Sequence, residues 1–111
     1  MHELTLTQNI VETVAAHAQG RRVRRVTLEV GVLTCVMPGA LQFCFEVATL
    51  GTALEGASLD VIQIEARARC RACGDTFVQD QFGESCHCGA HEFMRISGEE
   101  LRVKQYEVDA S

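Results

Sequence analysis

At 111 residues and 47% hydrophobic composition, the chain can bury one modest core, which excludes a multi-domain assembly and predicts one principal domain with a small lobe. A formal net charge of -5 and the lack of a concentrated Lys/Arg tract exclude a general electrostatic grip on nucleic acid. The one basic cluster, Arg21, Arg22, Arg24 and Arg25, reads as a solvated loop and strand edge beside Gly20. No apolar stretch approaches membrane-spanning length, and Met1-His2-Glu3-Leu4 opens neither a basic leader nor a cleavage site, so a cytoplasmic location is expected.

Between Thr5 and Ala18, Leu6, Ile10, Val14 and Ala18 recur every four residues with Val11 and Ala15 beside them, the apolar stripe of an amphipathic helix. Thr5 or Thr7 is the expected cap, which leaves Met1 to Glu3 as a lead-in, and Gly20 ends the helix. From Val23 to Leu33 the apolar residues Val26, Leu28, Val30 and Val32 alternate with Arg25, Thr27, Glu29 and Gly31, the period of a strand with one buried face. Pro38 suits the first turn of a second helix whose buried face carries Leu41, Cys44, Phe45 and Ala48, with Gly51 closing it. A loop through Gly56 leads into a second strand, Leu59 to Arg67, and strand character returns at Glu100 to Val108.

These elements predict an α+β fold: a small three-stranded sheet with two helices on one face. A cysteine-rich zinc-ribbon lobe, residues 70–96, is inserted between the last two strands. The remainder, 1–69 completed by the final strand segment 97–111, forms the α/β domain. A terminal strand that follows such a lobe is also compatible with strand exchange in a homodimer.

Four of the six cysteines lie between positions 70 and 88. In Cys70-Arg71-Ala72-Cys73-Gly74 the two-residue spacing lets one turn direct both sulfurs toward an ion. Cys86-His87-Cys88-Gly89 is tighter, with one intervening residue. All-cysteine tetrahedral zinc is the first choice, and replacement of one thiolate by His87 or His91 is the alternative. A closed four-ligand site leaves no place for an activated water, so the expected zinc is structural and the protein is not expected to be an enzyme. Cys35 and Cys44 read as small buried hydrophobes, and His17 as a surface or partly buried structural histidine.

At the amino terminus, the Met1 amine, the His2 amide nitrogen and the His2 imidazole can close adjoining chelate rings. With a fourth ligand from Glu3, backbone or side chain, this nitrogen-rich set suits square-planar Ni(II) or Cu(II).

Taken together, Met1-His2-Glu3, the following helix, the interrupted two-strand unit with its cysteine pairs, and the strings 51–59 (GTALEGASL) and 97–103 (SGEELRV) resemble the HypA/HybF family of nickel chaperones over essentially the whole chain. The resemblance implies a protein that receives Ni(II), works with a HypB-type GTPase accessory protein, and delivers nickel to the large-subunit precursor of a [NiFe]-hydrogenase. By position it makes His2 the principal nickel ligand, flanked by Met1 and Glu3, and Cys70, Cys73, Cys86 and Cys88 the structural zinc ligands. The competing reading is a zinc-ribbon protein-docking module that handles no nickel. A nucleic-acid ribbon is disfavoured by the charge and the single Tyr106, and a zinc hydrolase or dithiol enzyme lacks an open metal position or a reactive thiol pair.

Overall fold

A computed structural model describes residues 3–79, 86, 88–89 and 92–109. Its elements in chain order are α1 (Glu3–Ala18), β1 (Val23–Gly31), a 3-10 turn (Val32–Thr34), α2 (Pro38–Thr49), β2 (Ser58–Ile64), β3 (Arg67–Cys70), β4 (Thr76–Val78), β5 (Phe93–Ser97) and β6 (Leu101–Val108). They form two three-stranded sheets, ordered β2-β1-β6 and β4-β3-β5. No helix among the described residues is long and apolar enough to cross a membrane.

The chain divides into two compact units. The first comprises Met1–Glu29, Val36–Ile62 and Arg102–Ser111; the second comprises Val30–Cys35 and Gln63–Leu101. The first unit contains both helices, packed against each other, and most of the β2-β1-β6 sheet. Its core is built from Ile10, Val11, Val14 and Ala18 of α1, Val26 and Leu28 of β1, and Leu41 and Phe45 of α2, all buried. These are the stripes that the 3.6- and 2-residue periodicities pick out. The Gln42 side chain donates to the Leu59 carbonyl at 2.7 Å, which ties α2 to β2.

Three boundaries differ from the sequence expectation. Helix α1 begins at Glu3 rather than after a Thr5 or Thr7 cap. Thr7 is fully buried and its hydroxyl donates to the Leu4 carbonyl at 2.9 Å, so it satisfies itself within the helix instead of capping it. Strand β1 stops at Gly31, where the 3-10 turn begins. The Gly31 and Leu33 amides are drawn to the carbonyls of Glu100 and Gly98, at 2.7 and 2.8 Å. The expected strand Leu59–Arg67 is broken at Glu65 and Ala66: β2 ends at Ile64, and Arg67 opens β3 in the other sheet. Ala66 is fully buried, its carbonyl accepts from the Gln79 amide at 2.7 Å, and the Glu65 carbonyl accepts from the Ser97 hydroxyl at 2.9 Å. These bonds take the place of a continued ladder.

Within the second unit, β3 pairs antiparallel with β4 and with β5. Phe77 and Phe93, both half-buried, meet edge to face with ring centroids 6.1 Å apart, an apolar contact among the lobe's described residues.

Candidate metal centre

Two turns of similar construction bring the four lobe cysteines together. In the first, the Gly74 amide bonds to the Cys70 carbonyl at 3.0 Å and the Cys70 amide to the Asp75 carbonyl at 2.9 Å. In the second, the Gly89 amide bonds to the Cys86 carbonyl at 2.8 Å. Each turn places a glycine directly after its second cysteine, with φ of +80° at Gly74 and +88° at Gly89, a conformation that a side chain disfavours. The second turn absorbs the missing residue of the Cys86-His87-Cys88 spacing and still lets both sulfurs converge.

The Sγ atoms of Cys70, Cys73, Cys86 and Cys88 all lie within 4.8 Å of one another. Cys70 and Cys88 are 3.6 Å apart, and Cys73 and Cys86 3.5 Å apart. A tetrahedral ion with metal–sulfur bonds of about 2.3 Å has sulfur–sulfur edges of about 3.8 Å, so the four thiols are close enough together to hold a metal ion. All six cysteines are free of disulfide bonds. Cys70 and Cys86 are buried while Cys73 and Cys88 are exposed, so such an ion would be held at the lobe surface.

The protons on these thiols are unevenly held. The Cys73 backbone N–H, helped by the Ala72 N–H and the neighbouring thiols, pulls Cys70 down to about 6 against the opposing effect of burial. The Asp75 N–H pulls Cys73 the same way, but hydrogen bonding with Cys86, burial and the Cys70 and Cys88 thiols outweigh it and push Cys73 up to about 12. At Cys86 the Cys88 N–H favours the thiolate, and burial with the surrounding thiols raises the group overall. One thiolate is thus set up to receive a cation, and the others give up their protons as it binds.

Other expected site residues fall elsewhere. Met1 and His2, and the alternative ligands His87 and His91, lie outside the described residues; Glu3 is the first residue of α1 and half-buried. His17 is exposed and lines a groove with Thr13, Lys104 and Tyr106. The reading of Cys35 and Cys44 as buried hydrophobes needs correction. Cys35 is exposed because the 3-10 turn ends on it in the left-handed region, φ 59° and ψ 19°, and Cys44 is half-buried on the flank of α2.

Comparison with known proteins agrees with this architecture. The sequence profile of the family described as hydrogenase/urease nickel incorporation, metallochaperone, HypA matches residues 1–108. The hydrogenase maturation factor HypA of Nostoc punctiforme is 46% identical over 109 residues, covering 98% of this chain and 96% of its own. That of Geobacter metallireducens is 47% identical over 110 residues, covering 98% and 100%. The solution structure of the Ni metallochaperone HypA from Helicobacter pylori superimposes over 100% of both chains with a TM-score of 0.68 at 19% identity, a likeness of fold. With the cysteine cluster, the two helices and a whole-length sequence match in agreement, the chain belongs to the HypA family of nickel-incorporation metallochaperones.

Proposed function

We propose that this chain binds Ni(II) through Met1, His2 and Glu3 and passes it to the large-subunit precursor of a [NiFe]-hydrogenase, with a HypB-type GTPase as its partner, in the cytoplasm and without catalysing a reaction itself. The observation that carries this reading is the family match across residues 1–108, which takes in the Met-His-Glu start. The chelate requires a free Met1 amine. That amine, the His2 amide nitrogen and the His2 imidazole occupy three corners of a square plane, and Glu3 supplies the fourth. Glu3 is the first residue of α1, so its amide nitrogen has no intrahelical acceptor to lose. Amide nitrogens that have shed protons bring negative charge to the positive end of the helix, where it is favoured.

In this account the second metal is structural. Cys70, Cys73, Cys86 and Cys88 hold zinc, whose preference for tetrahedral thiolate ligation matches the sulfur spacing. The closed site offers no exchange position, whereas a chelate at the chain end can be approached by a partner, so retention and transfer are separated between the two metals.

A direct test is to load the chain with nickel, add a hydrogenase large-subunit precursor together with the GTPase and GTP, and measure nickel in the re-isolated precursor. Transfer from the unaltered chain but not from His2→Ala at equal total nickel is the expected result. Equal transfer from both would refute the terminal site.

A further inference from the structure

The β4-β3-β5 sheet has two unlike faces. On β3, Ala68 and Cys70 are buried, and Arg67 and Arg69, which alternate with them, are exposed. Residues opposite one another on paired strands share a face. Val78 is opposite Arg67 and Thr76 opposite Arg69 on β4, and Met94 is opposite Arg69 on β5. Ser97 is opposite Arg67 on β5, beyond the register interruption that leaves Ile96 without a partner on β3. Val78 and Met94 are 51% and 55% exposed, so two arginines sit beside two large apolar side chains open to solvent.

Among the described residues the two guanidinium groups are only loosely held. The Arg67 Nε reaches the Glu65 carboxylate at 2.8 Å, but both side chains are about half exposed, and such a pair exchanges for another carboxylate with little loss. The Arg69 side chain has no hydrogen-bond or ion-pair partner among the described residues. Met and Arg are enriched at protein interfaces, and none of these six side chains is aromatic, as base stacking would require. Two residues apart on one strand, Arg67 and Arg69 are spaced by about 7 Å. The same interval separates alternate residues of another extended chain.

We propose that this face is a docking surface for an extended segment of a partner protein that carries carboxylates at alternate positions flanked by apolar residues. The carboxylates meet Arg67 and Arg69, in the forked geometry that arginine favours, and the apolar residues cover Val78 and Met94. Charge decides the occupant: the exposed cations lie in a chain of net charge -5, so an acidic segment is attracted to this face specifically and not to the molecule as a whole. The proposal does not rest on nickel binding at Met1 to Glu3.

The test uses the full, metal-loaded chain, isotope-labelled, and follows amide chemical shifts during titration with a capped Leu-Ser-Asp-Ser-Asp-Ser-Leu peptide and its counterpart with Lys in place of Asp. The acidic peptide is expected to shift amides of β3 and β5, and the basic one is not. Arg69→Glu is expected to weaken the acidic peptide by about tenfold and to create binding of the basic one, a gain that a merely unfolded variant would not show. Met94→Ser is expected to weaken the acidic peptide with the spectrum otherwise unchanged. Equal response to both peptides, response to neither, or a single-stranded oligonucleotide that shifts these amides at lower concentration than the acidic peptide would overturn the proposal.

Discussion

The backbones of Gly31 and Gly98 approach so closely that a Cβ on Gly31 would lie 2.1 Å from both the carbonyl carbon and the carbonyl oxygen of Gly98. Gly31 has ordinary extended dihedrals, φ -73° and ψ 142°, so it is glycine for want of space and not for conformational freedom. Gly98 needs both: its φ is +115°, and a Cβ there would stand 2.7 Å from the Ala66 Cα. Because backbone cannot yield as a flexible side chain can, Gly31→Ala is expected to destabilise the protein by about 3 kcal/mol or more. Gly39→Ala, on α2 with nothing within 4 Å of the added atom, is expected to stabilise it by about 0.5–1 kcal/mol. Urea denaturation of the two variants checks the contrast.

Two phenylalanines two residues apart on α2 should respond in opposite ways. Phe45 is 2% exposed and Phe43 67% exposed. Phe45→Ala empties part of the core and is expected to cost about 3–5 kcal/mol. Phe43→Ser, on the solvent side, is expected to change stability by less than about 0.5 kcal/mol. Thermal melts of both variants measure this directly.

Removing the zinc proposed for the four cysteines should unfold the cysteine lobe. Among its described residues the lobe has the Phe77–Phe93 contact and the small buried side chains of Ala66 and Ala68, and a lobe of this size relies on a metal to offset the entropy of ordering it. On chelation, the ring resonances of Phe77 and Phe93 are expected to collapse toward random-coil positions, while those of Phe45 in the helical unit persist. Cys73→Ser is expected to produce the same spectrum without a chelator.

The lobe's metal affinity should fall with acid, and the sign follows from the thiols. Cations bind thiolates, so every proton held by the empty cluster competes with the metal. Cys73, raised to about 12, carries its proton throughout the neutral range, whereas Cys70, lowered to about 6, takes one up only as the pH falls below that value. Proton release on metal binding is therefore expected to be greater at about pH 5 than at about pH 7. Calorimetric titration in buffers of different ionisation enthalpy counts the protons; a count that is unchanged or lower at the acid end would contradict the assignment.

The parts of the fold that could be read in advance are those where one period governs a long segment. The four-residue recurrence through Ile10, Val14 and Ala18 and the alternation through Val26 and Leu28 each mark a face that is buried, and Pro38 marks the start of α2. The lobe strands β3, β4 and β5, of 4, 3 and 5 residues, are too short to show a period. Alternation of Arg67, Ala68, Arg69 and Cys70 looks like the tail of β2 until the bonds made by Glu65 and Ala66 are seen. At the cysteine cluster, residue type and paired spacing point to the four thiols, and the turn at Gly89 accounts for the one-residue spacing. Cys35 was misread because its exposure is fixed by the left-handed end of a 3-10 turn, which apolar pattern does not encode.

The proposed nickel chelate of the Met1 amine with His2 can be probed by titrating nickel into the chain with a free Met1 amine, the same chain acetylated at Met1, and His2→Ala, with zinc content measured in all three. Equal zinc in each protein and strong nickel binding in the free-amine chain alone are the expected result. Equal nickel affinity in all three would contradict it.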